Sequence, residues 1–105
     1  MSYKPGNKKS PKQLFPLGNL AITPNLEMKI EELGEDPRKI TLDALERHRT
    51  GDCGDCCPHD RRAHRDAIEN GHQILSVYYT DKGLKFWVIT EWNRSVTTLL
   101  LPEDY

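Results

Sequence analysis

The strongest structural signals of the chain lie between Thr23 and Gly71, TPNLEMKIEELGEDPRKITLDALERHRTGDCGDCCPHDRRAHRDAIENG. Three times in it a proline follows a helix-starting residue and a glycine closes the segment. Proline has no backbone N–H to lose at the first helical position, and glycine takes the left-handed conformation after the last turn without steric cost. The pattern therefore predicts three helices, over 24–33, 37–50 and 58–70.

After Gly71 the sequence becomes rich in β-branched and aromatic residues and predicts strands over 73–80, 84–91 and 94–102. The loop Asp81-Lys82-Gly83 suits a type I turn with a G1 bulge. A two-residue loop at Trp92-Asn93 would pair Glu91 with Arg94, Ile89 with Val96, Trp87 with Thr98, Phe86 with Leu99, Val88 with Thr97 and Thr90 with Ser95. We predict an α+β fold: three N-terminal helices followed by a three- to four-stranded antiparallel sheet made of two consecutive hairpins.

Upstream of the helices, the composition changes at about residue 16. Residues 1–16 are rich in lysine and proline and predict a flexible basic tail, whereas 17–105 form a single α+β domain. The segment LGNLAIT, 17–23, is either a short strand at the sheet edge or an extended lead-in to the first helix.

The composition excludes several classes of function. The chain has 105 residues, a formal net charge of −1 and no apolar stretch near the roughly 20 residues needed to span a bilayer. It has no signal-peptide pattern, and we expect a cytoplasmic protein with no membrane partner and no cofactor. Cys53, Cys56 and Cys57 are an odd, crowded set that makes a poor disulfide framework and fits a reducing compartment.

His48 is the first candidate for chemistry. It follows Ile40, Ala44 and Leu45 on the apolar side of the second helix, just before Gly51. A ring held by the core and reaching the surface could act as an acid, a base or a ligand. The alternative is structural: a cation at a helix C-terminus, or a satisfied side chain at the edge of the core.

The tip of the last hairpin, residues 90–98, is the second candidate. An arginine fork, hydroxyl donors and an indole together suit an anion or a stacking partner. A cross-strand ion pair between Glu91 and Arg94 and ordinary strand threonines explain the same residues without a function. The residues concerned are Thr90, Glu91, Trp92, Asn93, Arg94, Ser95, Thr97 and Thr98.

The cysteine cluster is the third candidate, because Cys-x2-Cys is a metal-ligand spacing. A zinc site would use Cys53, Cys56, Cys57 and His59. The ligands, however, lie on one short loop instead of two separated knuckles, and His59 and His64 diverge by about 140° around a helix axis. We therefore predict no metal site, with small cysteines filling a loop as the simpler interpretation.

Motifs spread over most of the chain after residue 15 carry a resemblance. They are Phe15-Pro16-Leu17-Gly18, Ala21-Ile22-Thr23-Pro24, His48-x-x-Gly51-Asp52-x-Gly54-Asp55, Ile74-Leu75-Ser76, Lys85-x-Trp87-Val88-Ile89-Thr90-Glu91, Arg94-Ser95-Val96-Thr97-Thr98 and Leu100-Leu101-Pro102-Glu103-Asp104-Tyr105. With these the chain resembles a family of small uncharacterised proteins encoded on proteobacterial plasmids and integrative elements, called plasmid-related proteins and sometimes labelled restriction–modification subunits. The resemblance implies an accessory gene of a mobile element.

Two departures from the family pattern bear on the candidate sites. Cys53 stands where the family is expected to have tryptophan, and Asn93 where it is expected to have aspartate. The first departure weakens the zinc interpretation. The polar positions that match the family are His48, Asp52, Glu91, Arg94, Thr97 and Thr98, and we hypothesise that a compact fold brings them into one site.

Two classes of function remain. The first is a non-enzymatic binding module for a protein or nucleic acid through the 90–98 hairpin, with Trp92, Trp87 or Tyr78 and Tyr79 as anchors. The second, by analogy of fold order, is a metal-independent ribonuclease of the barnase and RelE type, in which His48 and Glu91 exchange the proton and Arg94 holds the phosphate. A homodimer through an exposed edge strand stays open.

Overall fold

A computed structural model describes residues 12–105. The chain order is β1 (Asn19–Ile22), α1 (Pro24–Glu32), α2 (Pro37–Arg49), α3 (Pro58–Asn70), β2 (Ile74–Tyr79), β3 (Lys85–Thr90) and β4 (Val96–Leu100), followed by a 3₁₀ turn (Pro102–Asp104). The three predicted helices are therefore present. Each begins at its proline, and the three closing glycines adopt positive φ.

The predicted sheet is wrong in two respects. The sheet is mixed, with strand order β1-β4-β3-β2, because β1 pairs in parallel with β4. A strand also precedes the helices, so the chain does not begin its fold with them. The sequence could not show this pairing, because three of the four β1 residues are exposed and give no alternating pattern.

The first hairpin has the predicted three-residue loop, closed by a hydrogen bond from the Gly83 N–H to the Thr80 carbonyl. The predicted register of the second hairpin is wrong by two residues. Thr90 lies opposite Thr97, not Ser95, because the loop contains four residues, 92–95. A shift of two keeps every side chain on its predicted face, since the side-chain period of a strand is two.

All three helices pack against one face of the sheet, which we call the inner face. Leu26 and Ile30 of α1 and Leu45 of α2 meet Val88 and Leu99 in the main core. A smaller cluster joins Ala67 of α3 to Ile74, and it includes Phe15, which is buried although it falls within the predicted tail. Residues 1–11 of that tail lie outside the described residues.

Two sets of contacts tie the helical region to the rest of the fold. At the β2 edge, Gly54 forms a parallel bridge with Val77, and the Val77 N–H donates to the Cys53 carbonyl. At the chain end, Asp104 accepts hydrogen bonds from the Thr23 hydroxyl and the Asn25 amide, at 2.7 and 2.8 Å. These contacts hold the loop before α3 and the start of α1 in fixed positions.

Candidate functional site

His48 lies in the interior, between α2 and the inner face of the sheet. Its exposure is 0%, and both ring nitrogens are engaged: Nδ1 lies 2.6 Å from Ser76 Oγ and Nε2 lies 2.8 Å from Thr90 Oγ1. The expectation that the ring reaches the surface is therefore wrong. The ring stays in the interior because Ser76 of β2 and Thr90 of β3 place hydroxyl groups within hydrogen-bond distance of its two nitrogens.

The hydroxyls form a chain whose direction fixes the tautomer of His48. At one end, the Thr97 hydroxyl donates to the Leu17 carbonyl, which can only accept. Thr90 must then donate to Thr97, at 2.6 Å, and His48 must donate from Nε2 to Thr90. A neutral ring protonated at Nε2 accepts at Nδ1, so the Ser76 hydroxyl donates there.

The chain extends beyond Ser76 to a second histidine. His64 Nε2 lies 3.0 Å from Ser76 Oγ and donates to it, because the hydroxyl proton is already used. His64 is 4% exposed, and its Nδ1 has no hydrogen-bond partner. A continuous polar path therefore crosses the core from α3 to the segment before β1.

Burial keeps this path uncharged. It lowers the pKa of His48 from 6.5 to about 3, with smaller contributions from His64 and Arg94. Burial also lowers the pKa of His64, against a smaller opposing effect of Asp52. A neutral, buried, doubly hydrogen-bonded imidazole is a structural group at neutral pH.

Arg94 connects the second hairpin to the end of α3. Its guanidinium donates to the carbonyls of Ala67 at 3.0 Å and His72 at 2.6 Å. It also contacts the carbonyls of Ile68, Glu91 and Trp92. The residue has φ of 60°, a conformation that non-glycine residues rarely adopt. Five carbonyls occupy the fork that sequence reasoning assigned to a phosphate.

The proposed trio of His48, Glu91 and Arg94 is not brought together. Glu91 follows Thr90 directly, so the alternation of the strand places the two side chains on opposite faces, and His48 is on the side of Thr90. The predicted ion pair between Glu91 and Arg94 is not among the ion pairs of residues 12–105. Their contact is instead through the Glu91 carbonyl.

The remaining residues of the hairpin tip divide between core and surface. Thr90 and Thr97 are buried in the polar path, whereas Thr98 is half-buried on the opposite face. Trp92, Asn93 and Ser95 are exposed in the loop, and the Asn93 side chain accepts from the Ser95 N–H. Trp92, 66% exposed, is the prominent apolar group of the tip.

The carboxylate of Asp52 is also engaged in hydrogen bonds within the fold. It accepts from Arg47 Nε at 2.7 Å and from the Gly54 N–H at 2.9 Å. Burial opposes its ionisation, but these hydrogen bonds outweigh burial and hold the pKa of Asp52 below its usual value. The Asp52 carbonyl accepts from the hydroxyl of Tyr78, which is 2% exposed and so cannot anchor a partner as the sequence suggested.

The cysteines are arranged differently from the expectation. Cys53 and Cys56 form a disulfide, so the crowded set does supply one bridge, and Cys57 is free and exposed. His59 is exposed on the first turn of α3. Within residues 12–105 no group of three potential ligands is placed to hold a metal ion.

The second face of the sheet carries Trp87 and Tyr79, two of the anchors suggested by the sequence. In the described part of the chain no helix covers it; its cover is the chain end, where the Tyr105 ring packs edge-on against Trp87 at 5.7 Å. We call this surface the open face. Its partly exposed side chains are Leu75, Val77, Tyr79, Trp87, Val96 and Thr98.

The sequence alone does not show which face of the sheet the helices cover. A hairpin-only sheet is compatible with helices on either side, and the alternation of β2 to β4 is apolar on both faces.

No family model, curated protein or solved structure matches this chain. None of the helices within residues 12–105 is long and apolar enough to cross a membrane.

Proposed function

We propose that this chain is a non-enzymatic protein-binding module that docks a partner on the open face and the neighbouring Trp92. The observation that carries the proposal is the segregation of all three helices to the inner face. The other face is left with aromatic and aliphatic side chains that the chain itself covers only in part. Ile89 and Leu100 on the same face are buried, and the partly exposed apolar side chains around them are of the kind found at interaction sites.

The types of exposed residue favour a protein partner. Trp92 is 66% and Tyr79 47% exposed, and large aromatic side chains supply much of the binding energy in protein interfaces. The open face carries little positive charge, with Lys85 at one end, and the chain has a net charge of −1. A phosphate backbone is held mainly by lysine and arginine, and Lys85 alone at one end of this face would be a weak basis for such binding.

The groups that catalysis would need are used elsewhere. His48 is buried and neutral, and Arg94 donates to main-chain carbonyls. We therefore favour binding over the ribonuclease and zinc alternatives. The accessory role in a mobile element, the cytoplasmic location and the homodimer remain predictions from sequence.

The test begins with a photo-cross-linking amino acid at position 92, which identifies the protein in contact with the tip. Binding of the purified partner is then measured by calorimetry with Trp92→Ala and Thr98→Glu. We expect each to weaken binding by about thirtyfold, the effect of losing one interface hot spot. The matched control is Leu42→Ala, which truncates a 61% exposed side chain on α2 and is expected to change nothing.

Three outcomes would overturn the proposal. One is unchanged affinity in both variants, and another is equal loss in Leu42→Ala. The third is tight binding of a single-stranded oligonucleotide that Trp92→Ala abolishes, because this would assign the surface to nucleic acid. Light scattering of the free protein distinguishes a second copy of the chain from a different partner.

A further inference from the structure

A cavity of about 270 Å³ lies between α3 and the β2 edge. Both sulfur-bearing side chains of the disulfide, Cys53 and Cys56, line it together with His64. Cys53 is 7% exposed, and Cys56 is half-buried. Cys56 is therefore the more exposed residue of the pair.

The loop that carries the disulfide is held in place without it. The Val77 N–H donates to the Cys53 carbonyl at 2.9 Å, and the Asp55 N–H donates to the Val77 carbonyl at 2.8 Å. The bond closes a loop with a sequence separation of only 3, and short loops gain little stability from a crosslink. The fold should therefore survive reduction, with the two thiols still adjacent.

His64 supplies a second, independent observation at the same cavity. The ring is 4% exposed, it donates from Nε2 to Ser76, and its Nδ1 has no partner while the disulfide is intact. A buried acceptor without a donor is costly, and a disulfide has no hydrogen to offer. Reduction creates two S–H donors at the wall of the same cavity.

We propose that Cys53–Cys56 is a reversible redox site that exchanges with low-molecular-mass thiols, and that His64 stabilises its reduced form by accepting a hydrogen bond from one of the two thiols. A disulfide that served only to crosslink the fold would not need this acceptor. In the reducing compartment predicted from sequence, such a pair would respond to the thiol pool instead of staying oxidised.

In the exchange, a thiolate attacks Sγ of Cys56, the more exposed residue of the pair, and forms a mixed disulfide. The Cys53–Cys56 bond breaks, and Cys53 leaves as a thiolate that takes up a proton. A second thiolate attacks the external sulfur of the mixed disulfide, and Cys56 leaves and is protonated. Two electrons and two protons pass from two thiols to the protein, and one external disulfide is released.

The test uses full-length protein with Cys57→Ser, which removes the exposed free thiol. The folded protein is equilibrated in buffers with a range of ratios of reduced to oxidised glutathione, alkylated with a maleimide and weighed intact. We expect the two adducts to appear together at a defined ratio, with an unchanged circular dichroism spectrum. Cys53→Ser serves as the control that cannot form the pair.

The contribution of His64 is measured with His64→Leu in the same titration. We expect half-reduction at a value of [GSH]²/[GSSG] about tenfold higher than in the wild type, because the buried acceptor that reduction satisfies is gone. The loss of the donor to Ser76 is common to both redox states and cancels. His59→Leu, on the exposed side of the same helix, should leave the midpoint unchanged.

The proposal fails if glutathione reduces the pair only when urea also unfolds the protein, because the bond would then be a structural crosslink. It also fails if both thiols stay reactive with maleimide at every ratio of reduced to oxidised glutathione, because the pair would then not form a disulfide in the folded protein. An unchanged midpoint in His64→Leu would overturn the role of the histidine. None of these results bears on partner binding by Trp92.

Discussion

Mild acid is expected to destabilise this fold through His48. The buried ring has a pKa of about 3, whereas the ring of an unfolded chain has a pKa near 6.5. Between these values the unfolded state binds a proton that the folded state does not. The contribution of His48 to the free energy of unfolding is therefore fully present above about pH 6.5, and it falls as the pH decreases toward 3.

The size of the effect follows from the number of protons. One extra proton in the unfolded state changes the free energy of unfolding by about 1.4 kcal/mol per pH unit. From pH 7 to pH 4.5, His48 should therefore remove about 3 kcal/mol, a large part of the roughly 5–15 kcal/mol that holds a domain together. His64 acts in the same direction, because burial lowers its pKa too.

The assay is urea unfolding at several pH values for the wild type and for His48→Gln. Glutamine offers one donor and one acceptor and does not titrate in this range. The wild type should be the more stable at pH 7, and the difference should shrink by about 3 kcal/mol by pH 4.5. Leu42→Ala, which truncates an exposed side chain that does not titrate, should keep a constant difference from the wild type.

NMR of the imidazole nitrogens gives an independent check. The direction of the hydroxyl chain requires the proton of His48 on Nε2. We expect that tautomer, without titration, throughout the folded range. A proton on Nδ1, a native-state pKa near 6.5, or a difference in stability from His48→Gln that does not vary with pH would contradict the buried, neutral state of His48.

Two further substitutions test the other structural assignments by the free energy of unfolding. Arg94→Ala should cost about 2 kcal/mol, because several carbonyls lose a charged donor, while Arg62→Ala on the exposed side of α3 should stay within about 0.5 kcal/mol. Gly54→Ala should cost well over the roughly 1–2 kcal/mol expected for Gly71→Ala. Both glycines have positive φ, but a Cβ at Gly54 collides with the main chain of β2, whereas one at Gly71 meets nothing within 4 Å; equal costs would contradict the docking of this loop.

The helices could be predicted because their signals are local. Proline at the first position and glycine after the last turn act within a few residues, and all three helices begin where the sequence places them. The pairing of β1 with β4 depends on contacts between segments some 77 positions apart, such as Asn19 and Val96. Nothing within an exposed four-residue strand specifies its partner.

The polar residues of the second hairpin are hard to assign from sequence for a different reason. An excess of hydroxyl and arginine donors reads the same in sequence whether the groups face solvent or the interior. Thr90 and Thr97 belong to the polar path through the core, and the Arg94 guanidinium donates to carbonyls at the end of α3. Only the tertiary structure decides this, because the acceptors are the Leu17 carbonyl and the end of a helix far away in sequence.

The proposed docking surface and the proposed redox site both include residues of β2, so the energetic coupling between them can be measured. Leu75 and Val77 have side chains on the open face and also border the cavity that contains the disulfide. If reduction changes partner affinity by some factor, linkage requires that the partner change the reduction equilibrium by the same factor. Titrating glutathione with and without the partner, and the partner with and without reductant, therefore gives two values of one quantity. Equal factors different from one would mean that the redox pair regulates binding, and factors of one in both directions would mean that the two sites act independently across a rigid strand.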